Sequence, residues 1–132
     1  MFEELVGQRV QSITFSDDGT EMTIKTEGWK YSYLAEGDCC AVAYVLKPDA
    51  EDIKAFLGNE IIQTKTREHS TSDGDFYQID TEFYDLRTHG GDLTLELRTE
   101  HNGYYCGWLK KVGQEEIWPV FDDIREEAQK VM

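Results

Sequence analysis

The run Asp92-Leu93-Thr94-Leu95-Glu96-Leu97-Arg98-Thr99-Glu100-His101 places leucine at alternate positions with polar residues between them. That period of two is the mark of a β-strand with one buried face and one wet face. A helix would instead repeat its apolar residues at three- and four-residue spacing. His89-Gly90-Gly91 turns the chain into this strand, and Asn102-Gly103 follows it. Asn-Gly is the strongest two-residue hairpin signal, because both residues tolerate the positive φ angles of a type I′ turn. Such a hairpin sets His101 opposite Tyr104, Thr99 opposite Cys106, Leu97 opposite Trp108 and Leu93 opposite Val112. Facing residues share a side of the sheet, so Cys106 and Trp108 are expected on the leucine face. Tyr105 is expected on the other face, opposite Glu100.

Working outward, the first third reads as an antiparallel meander. Gln8–Ser16 carries Val10, Ile13 and Phe15, and Asp17-Asp18-Gly19 turns into Thr20–Thr26, where Met22 and Ile24 share a face. Glu27-Gly28 turns again into Trp29–Leu34, with Trp29, Tyr31 and Tyr33 on one side. The middle changes character. Asp38 is placed to cap a short helix beginning at Cys39 and Cys40 and running through Ala41–Leu46. After Pro48, Asp49 offers an N-cap for a second short helix with Ile53, Phe56 and Leu57 on its apolar side and Gly58 at its end. Strands resume over Glu60–His69 and Phe76–Thr88, the latter with Tyr77, Ile79 and Phe83 on one side. Beyond Trp118-Pro119, Phe121, Ile124, Ala128 and Val131 form one apolar stripe among acids, which predicts an amphipathic helix covering the sheet.

The fold expected from these elements is α+β: a mainly antiparallel, curved sheet of about seven strands, short central helices and a C-terminal helix packed on the sheet. One domain is expected over residues 1–132, with a sheet core over 1–116 and the helix over 117–132. The chain is long enough to bury a core, and 39% hydrophobic and 12% aromatic residues are too many for a disordered segment.

Charge narrows the partners. Asp and Glu number 27 against 13 Lys and Arg, a formal net charge of -14, and the excess is spread over both halves. A negative surface repels nucleic acid and anionic membranes at long range and attracts basic protein surfaces. Lys110-Lys111 is the only adjacent basic pair and is too small for a nucleic-acid patch. No apolar stretch is long enough to span a membrane, and the acidic start Met1-Phe2-Glu3-Glu4 lacks a signal-peptide pattern. Three cysteines, two of them adjacent, do not make a disulfide framework, and a reducing, cytoplasmic setting is expected.

Two short motifs stand out: Gly37-Asp38-Cys39-Cys40 and Asn102-Gly103-Tyr104-Tyr105-Cys106-Gly107-Trp108. Together they resemble a family of small uncharacterised domains, found largely in phages and bacteria, marked by a GDCC and a later NGYY motif. The resemblance spans most of the chain, from the first meander through the hairpin, leaves out the final helix from about Trp118, and implies no known activity. It does imply a phage or mobile-element setting.

The candidate binding residues are Asp38, Cys39, Cys40, Tyr104 and Tyr105. Cysteines at a helix N-terminus have lowered thiol pKa values and can act as nucleophiles, though Asp38 opposes this with its negative charge. The bland alternative is one inward-packed cysteine and a capping Asp38. Nucleophilic catalysis needs a histidine base, and His69, His89 and His101 have no spacing that points at either cysteine. No C-x₂-C or H-x₃-H pair suggests zinc, and no metal or cofactor is expected. Acid pairs such as Asp73/Asp75 and Asp122/Asp123 are unavoidable at this composition and read as solvated surface. Tyr104 and Tyr105 carry the contact area and polar handle of binding residues, yet tyrosine is also an ordinary strand residue.

The expected function is therefore a non-enzymatic acidic binding protein that engages the basic surface of a host protein. In its sharper form it is a phage or mobile-element accessory protein that inhibits a nucleic-acid-binding or defence protein. The competing expectation is a thiol-dependent enzyme, or a small-ligand or metal binder, centred on Cys39-Cys40. A homodimer formed through an exposed strand edge or the last helix is a third.

Overall fold

A computed structural model describes residues 1–38, 41–72, 78–101 and 106–117. Among them the architecture is mainly β: eight strands in two four-stranded antiparallel sheets, with one α-helix. The meander appears as expected, as β1 (Val10–Phe15), β2 (Glu21–Thr26) and β3 (Trp29–Gly37). A bulge between Val10 and Ser12 lets Val10 and Ile13, three residues apart, both face inward. Met22, Ile24, Tyr31 and Tyr33 share that buried face.

The chain then crosses to the second sheet, and here the expected helix through Ala41–Leu46 is replaced by a strand, β4 (Val42–Leu46). Val42, Tyr44 and Val45 favour an extended chain, and burial alternates along it, so Ala43 and Val45 enter the core while Val42 stays 59% exposed. The next helix, α1 (Ala50–Phe56), forms where Pro48 and Gly58 bracket it. Asp49 holds the N-cap position with an extended backbone, but its side chain makes no capping bond. Gly58 supplies the positive φ of 81° that ends the helix.

The second sheet continues as β5 (Ile61–Ser72), β6 (Gln78–Thr88) and β7 (Leu93–His101), in the spatial order β4-β7-β6-β5. Leu93, Leu95 and Leu97 are 1% exposed, so the leucine face is the core face. On β6 the expectation was off by one residue. Tyr84 and Leu86, which pair with Leu95 and Leu93, point inward, whereas Phe83 lies on the outer face beneath the Arg67 guanidinium.

The largest correction concerns β8 (Gly107–Glu116). It does not fold back on β7, because both edges of β7 are taken, by β4 and by β6. It pairs with β3 in the first sheet instead, setting Trp108 opposite Glu36 and Gly107 opposite Gly37. Cys106 consequently leaves the core and is exposed, as is Val112, at 53%. Among the expected elements, the helix over 117–132 falls outside the described residues after Ile117.

Phe2 locks the two sheets together. It is fully buried, with its ring 4.9 Å from that of Tyr33 in one sheet and 5.3 Å from that of Tyr84 in the other. Nearby, Gly7 and Gln8 exchange backbone bonds with Ile61, tying the start of β5 to the segment before β1.

Candidate functional site

Strand register gathers the two motifs and an acidic cleft at one end of the molecule. β3 ends there at Gly37, β4 begins there at Val42, β7 ends there at His101 and β8 begins there at Gly107. Val42 pairs with Glu100 and His101 with Gln78, so β5 and β6 reach the same end. The described ends of the motifs are bonded directly. Asp38 N–H donates to Cys106 C=O at 2.9 Å, and the Cys106 thiol donates to Asp38 Oδ2 at 3.4 Å. Of the expected site residues the structure thus describes Asp38, while Cys39, Cys40, Tyr104 and Tyr105 lie outside the described residues. Asp38 does not cap a helix. Its C=O accepts from Ala41 N–H at 2.7 Å, and Ala41 leads into a strand.

The two described motif glycines, Gly37 and Gly107, are required by close approach. A Cβ on Gly37 would come 2.7 Å from Ala41 O, and a Cβ on Gly107 2.4 Å from Thr99 Oγ1 and 2.9 Å from Ala43 Cβ. At Gly107 the first sheet is pressed against β4 and β7 of the second.

Beside that contact a cleft of about 160 Å³ opens, lined by Glu68, His69, Ser70, Asp80, Thr81, Glu82, Leu97, Thr99, Cys106 and Gly107. Glu68 pairs with Glu82 and Ser70 with Asp80. The leucine face of β7, continued outward past its apolar part, therefore turns acidic. Like charges directly opposite on neighbouring strands repel, and no lysine or arginine is among the described lining residues.

Two of these acids are anchored. His101, buried at the end of β7, bonds through Nε2 to Asp80 Oδ2 at 2.7 Å, and Ser70 Oγ donates to Asp80 Oδ1 at 2.7 Å. Partial burial opposes ionisation of Asp80, but bonds from Ser70, Gln78 and His101 outweigh it and hold the carboxyl below its ordinary range. The Tyr84 hydroxyl donates to Glu82, and burial followed by the Glu82 and Glu68 charges pushes that phenol up, so it stays a donor. A fixed set of carboxylates around a small opening is suited to receiving a cationic side chain.

Cys106 is the described thiol at the site. Its bond to Asp38 and then slight burial and the charges of Asp38 and Asp80 push its pKa up. That is the opposite of what a cysteine nucleophile needs. Among the described residues no three His, Cys, Asp or Glu side chains are grouped to hold a metal ion, and no helix is long and apolar enough to cross a membrane.

Residues 3–110 match the profile of a domain of unknown function, DUF7448. The chain belongs to that family. No curated protein and no solved structure matches it. The DUF7448 match takes in all of β1–β7 and the opening of β8, hence both motifs, the cleft and the glycine contact that shapes it.

Sequence reading missed Glu68, Asp80 and Glu82. Acids are so common in this chain that no single one is informative. The signal lay in parity: Asp80 and Glu82 are two residues apart, and Glu68 joins them only once the β5–β6 register is known.

Proposed function

We propose that this DUF7448 domain is a non-enzymatic binding protein that engages a basic protein surface, with a lysine or arginine of the partner entering the acidic cleft. The observation that carries the reading is the grouping of Glu68, Asp80 and Glu82 on one face at the cleft, with no described lysine or arginine lining it. An overall charge of -14 adds long-range attraction for a basic partner and repulsion of nucleic acid. Surfaces that bind nucleic acid are basic, so inhibition of such a protein is the specific form we favour. A phage or mobile-element setting would give that inhibition a counter-defence role.

The thiol-centred alternative would rest on Cys39 and Cys40. Cys106, the thiol bonded to the first motif, has its pKa raised and lends that alternative no support.

The experiment is a pull-down from bacterial lysate with the tagged protein, eluted by a salt gradient, alongside Glu68→Gln/Glu82→Gln. A basic nucleic-acid-handling protein released by moderate salt and lost from the variant supports the reading. Recovery of nothing salt-sensitive, or equal recovery by the variant, would sink it.

A further inference from the structure

β8 is a ten-residue edge strand. β3 occupies one side of it, and among the described residues no strand occupies the other. Natural sheets rarely leave so long an edge unpaired without a reason, because its free N–H and C=O groups template further pairing. The sequence of β8 is itself asymmetric. Lys110 and Lys111 stand in its first half, and Glu115 and Glu116 close it. The pairing with β3 shows which way each projects. Lys110 and Glu115 lie opposite Leu34 and Lys30, on the outer face, whereas Lys111 and Glu116 lie opposite Tyr33 and Trp29, on the core side. A register shift between Ser32 and Tyr33, spanning Val112 on β8, makes this matching possible, since it changes the parity between the two halves of the strand.

We propose that the free edge of β8 pairs antiparallel with β8 of a second copy, about a two-fold axis at Val112–Gly113. An isologous two-fold interface presents the same strand from both sides. Reversal about that point sets Lys110 opposite Glu115 of the second copy, on the same outer face. Lys111 falls opposite Gln114 of the second copy, with Glu116 of that copy on the adjacent diagonal, and the symmetry repeats each contact. Charge is thus directly complementary on the outer face, Lys110 to Glu115 twice over, and on the core side each Lys111 has Glu116 of the second copy as its diagonal neighbour. Val112, apolar and 53% exposed in the single chain, comes next to the axis opposite Gly113 of the second copy and one position from that copy's Val112, which accounts for a valine otherwise left in water. The edge of β5, also without a second neighbour among the described residues, lacks this pattern: its exposed cations Lys65 and Arg67 have no matching acids at the far end. Within one chain Lys111 Nζ donates to Gln114 Oε1 at 2.9 Å, a surface bond that is exchanged for the second copy's Gln114 and Glu116 on pairing.

Sedimentation equilibrium of the full chain tests this, with circular dichroism confirming that each variant is folded. The wild-type protein should associate from a 15.3 kDa monomer to twice that mass as concentration rises. Lys110→Glu/Lys111→Glu and Glu115→Lys/Glu116→Lys should each weaken association at least tenfold. An equimolar mixture of the two variants should restore it, because one edge is then wholly acidic and the other wholly basic. A wild-type protein that stays monomeric, a dimer indifferent to both charge reversals, or a mixture that fails to reassociate would each overturn the proposal.

Discussion

Gly37 and Gly107 are register partners on β3 and β8, seventy residues apart in sequence and side by side at the cleft. Each leaves no room for a Cβ: Gly37 because of Ala41 O, and Gly107 because of Thr99 and Ala43. The two motifs of this family therefore contribute, at their described ends, a close contact between sheets and the wall of an acidic opening.

Gly107→Ala should be destabilising by about 1–3 kcal/mol, the usual cost of forcing a methyl into a packed contact. Its Cβ would sit 2.4 Å from Thr99 Oγ1. Thr99→Ala in the same chain should recover part of the loss by removing the nearest atom. Denaturant midpoints of the two variants check this, and equal midpoints would show that the contact yields freely.

Phe2→Ala should cost about 3–5 kcal/mol, as large-to-small changes of buried aromatics do. The ring is fully buried and touches Tyr33 in one sheet and Tyr84 in the other. A thermal melt serves as readout. A loss below about 1 kcal/mol, within the range of an ordinary surface substitution, would mean the sheets hold together without it.

Stability should fall as pH drops from about 4 to about 2. Asp18 is held down to about 2 by bonds from Thr20 N–H and the Thr20 and Ser16 hydroxyls. Asp85 is lowered first by its bond to Arg67, and Asp80 is lowered by Ser70, Gln78 and His101 against the opposing effect of burial. Carboxyls lowered in the fold bind fewer protons there than in the unfolded chain. Their contribution is present above the unfolded value and is lost as pH falls through the folded one. Asp18→Asn and Asp80→Asn should each flatten the acid limb of a stability–pH curve. An unchanged limb in both would remove these groups from the account.

Cys106 should react slowly with a thiol reagent at pH 7 despite its exposure, because Asp38 disfavours the thiolate. Asp38→Asn should speed modification of Cys106 several-fold, read by mass spectrometry of its own peptide. An identical rate would show that the 3.4 Å contact has no chemical effect.

Much of the sheet was legible because alternation is a local signal. Leu93, Leu95 and Leu97, and Tyr31 with Tyr33, announced their faces from sequence. What failed was long-range choice. Asn102-Gly103 argues for a local hairpin, but β4 claims the edge of β7 that β8 would have used, and the β4 segment reads as helix in sequence because Asp38 looks like a cap. Parity on β6 was misjudged because Phe83 finds Arg67 on the outer face, a contact that only the β5–β6 pairing brings about. The cleft was hidden for the same reason. Glu68, Asp80 and Glu82 are unremarkable among 27 acids until register sets them on one face.

The cleft's claim on a cationic side chain is tested most directly by calorimetric titration with a tetra-arginine peptide at low and moderate salt. Three proteins are compared: the wild type, Glu68→Gln/Glu82→Gln, and a control, Glu51→Gln/Asp52→Asn, which removes two charges from α1. Binding by the wild type and the control, weakened by salt and reduced at least tenfold in the Glu68/Glu82 variant, is the predicted result. Equal affinity in all three, or equal losses in both variants, would show that the acids act only through net charge and would contradict a site at the cleft.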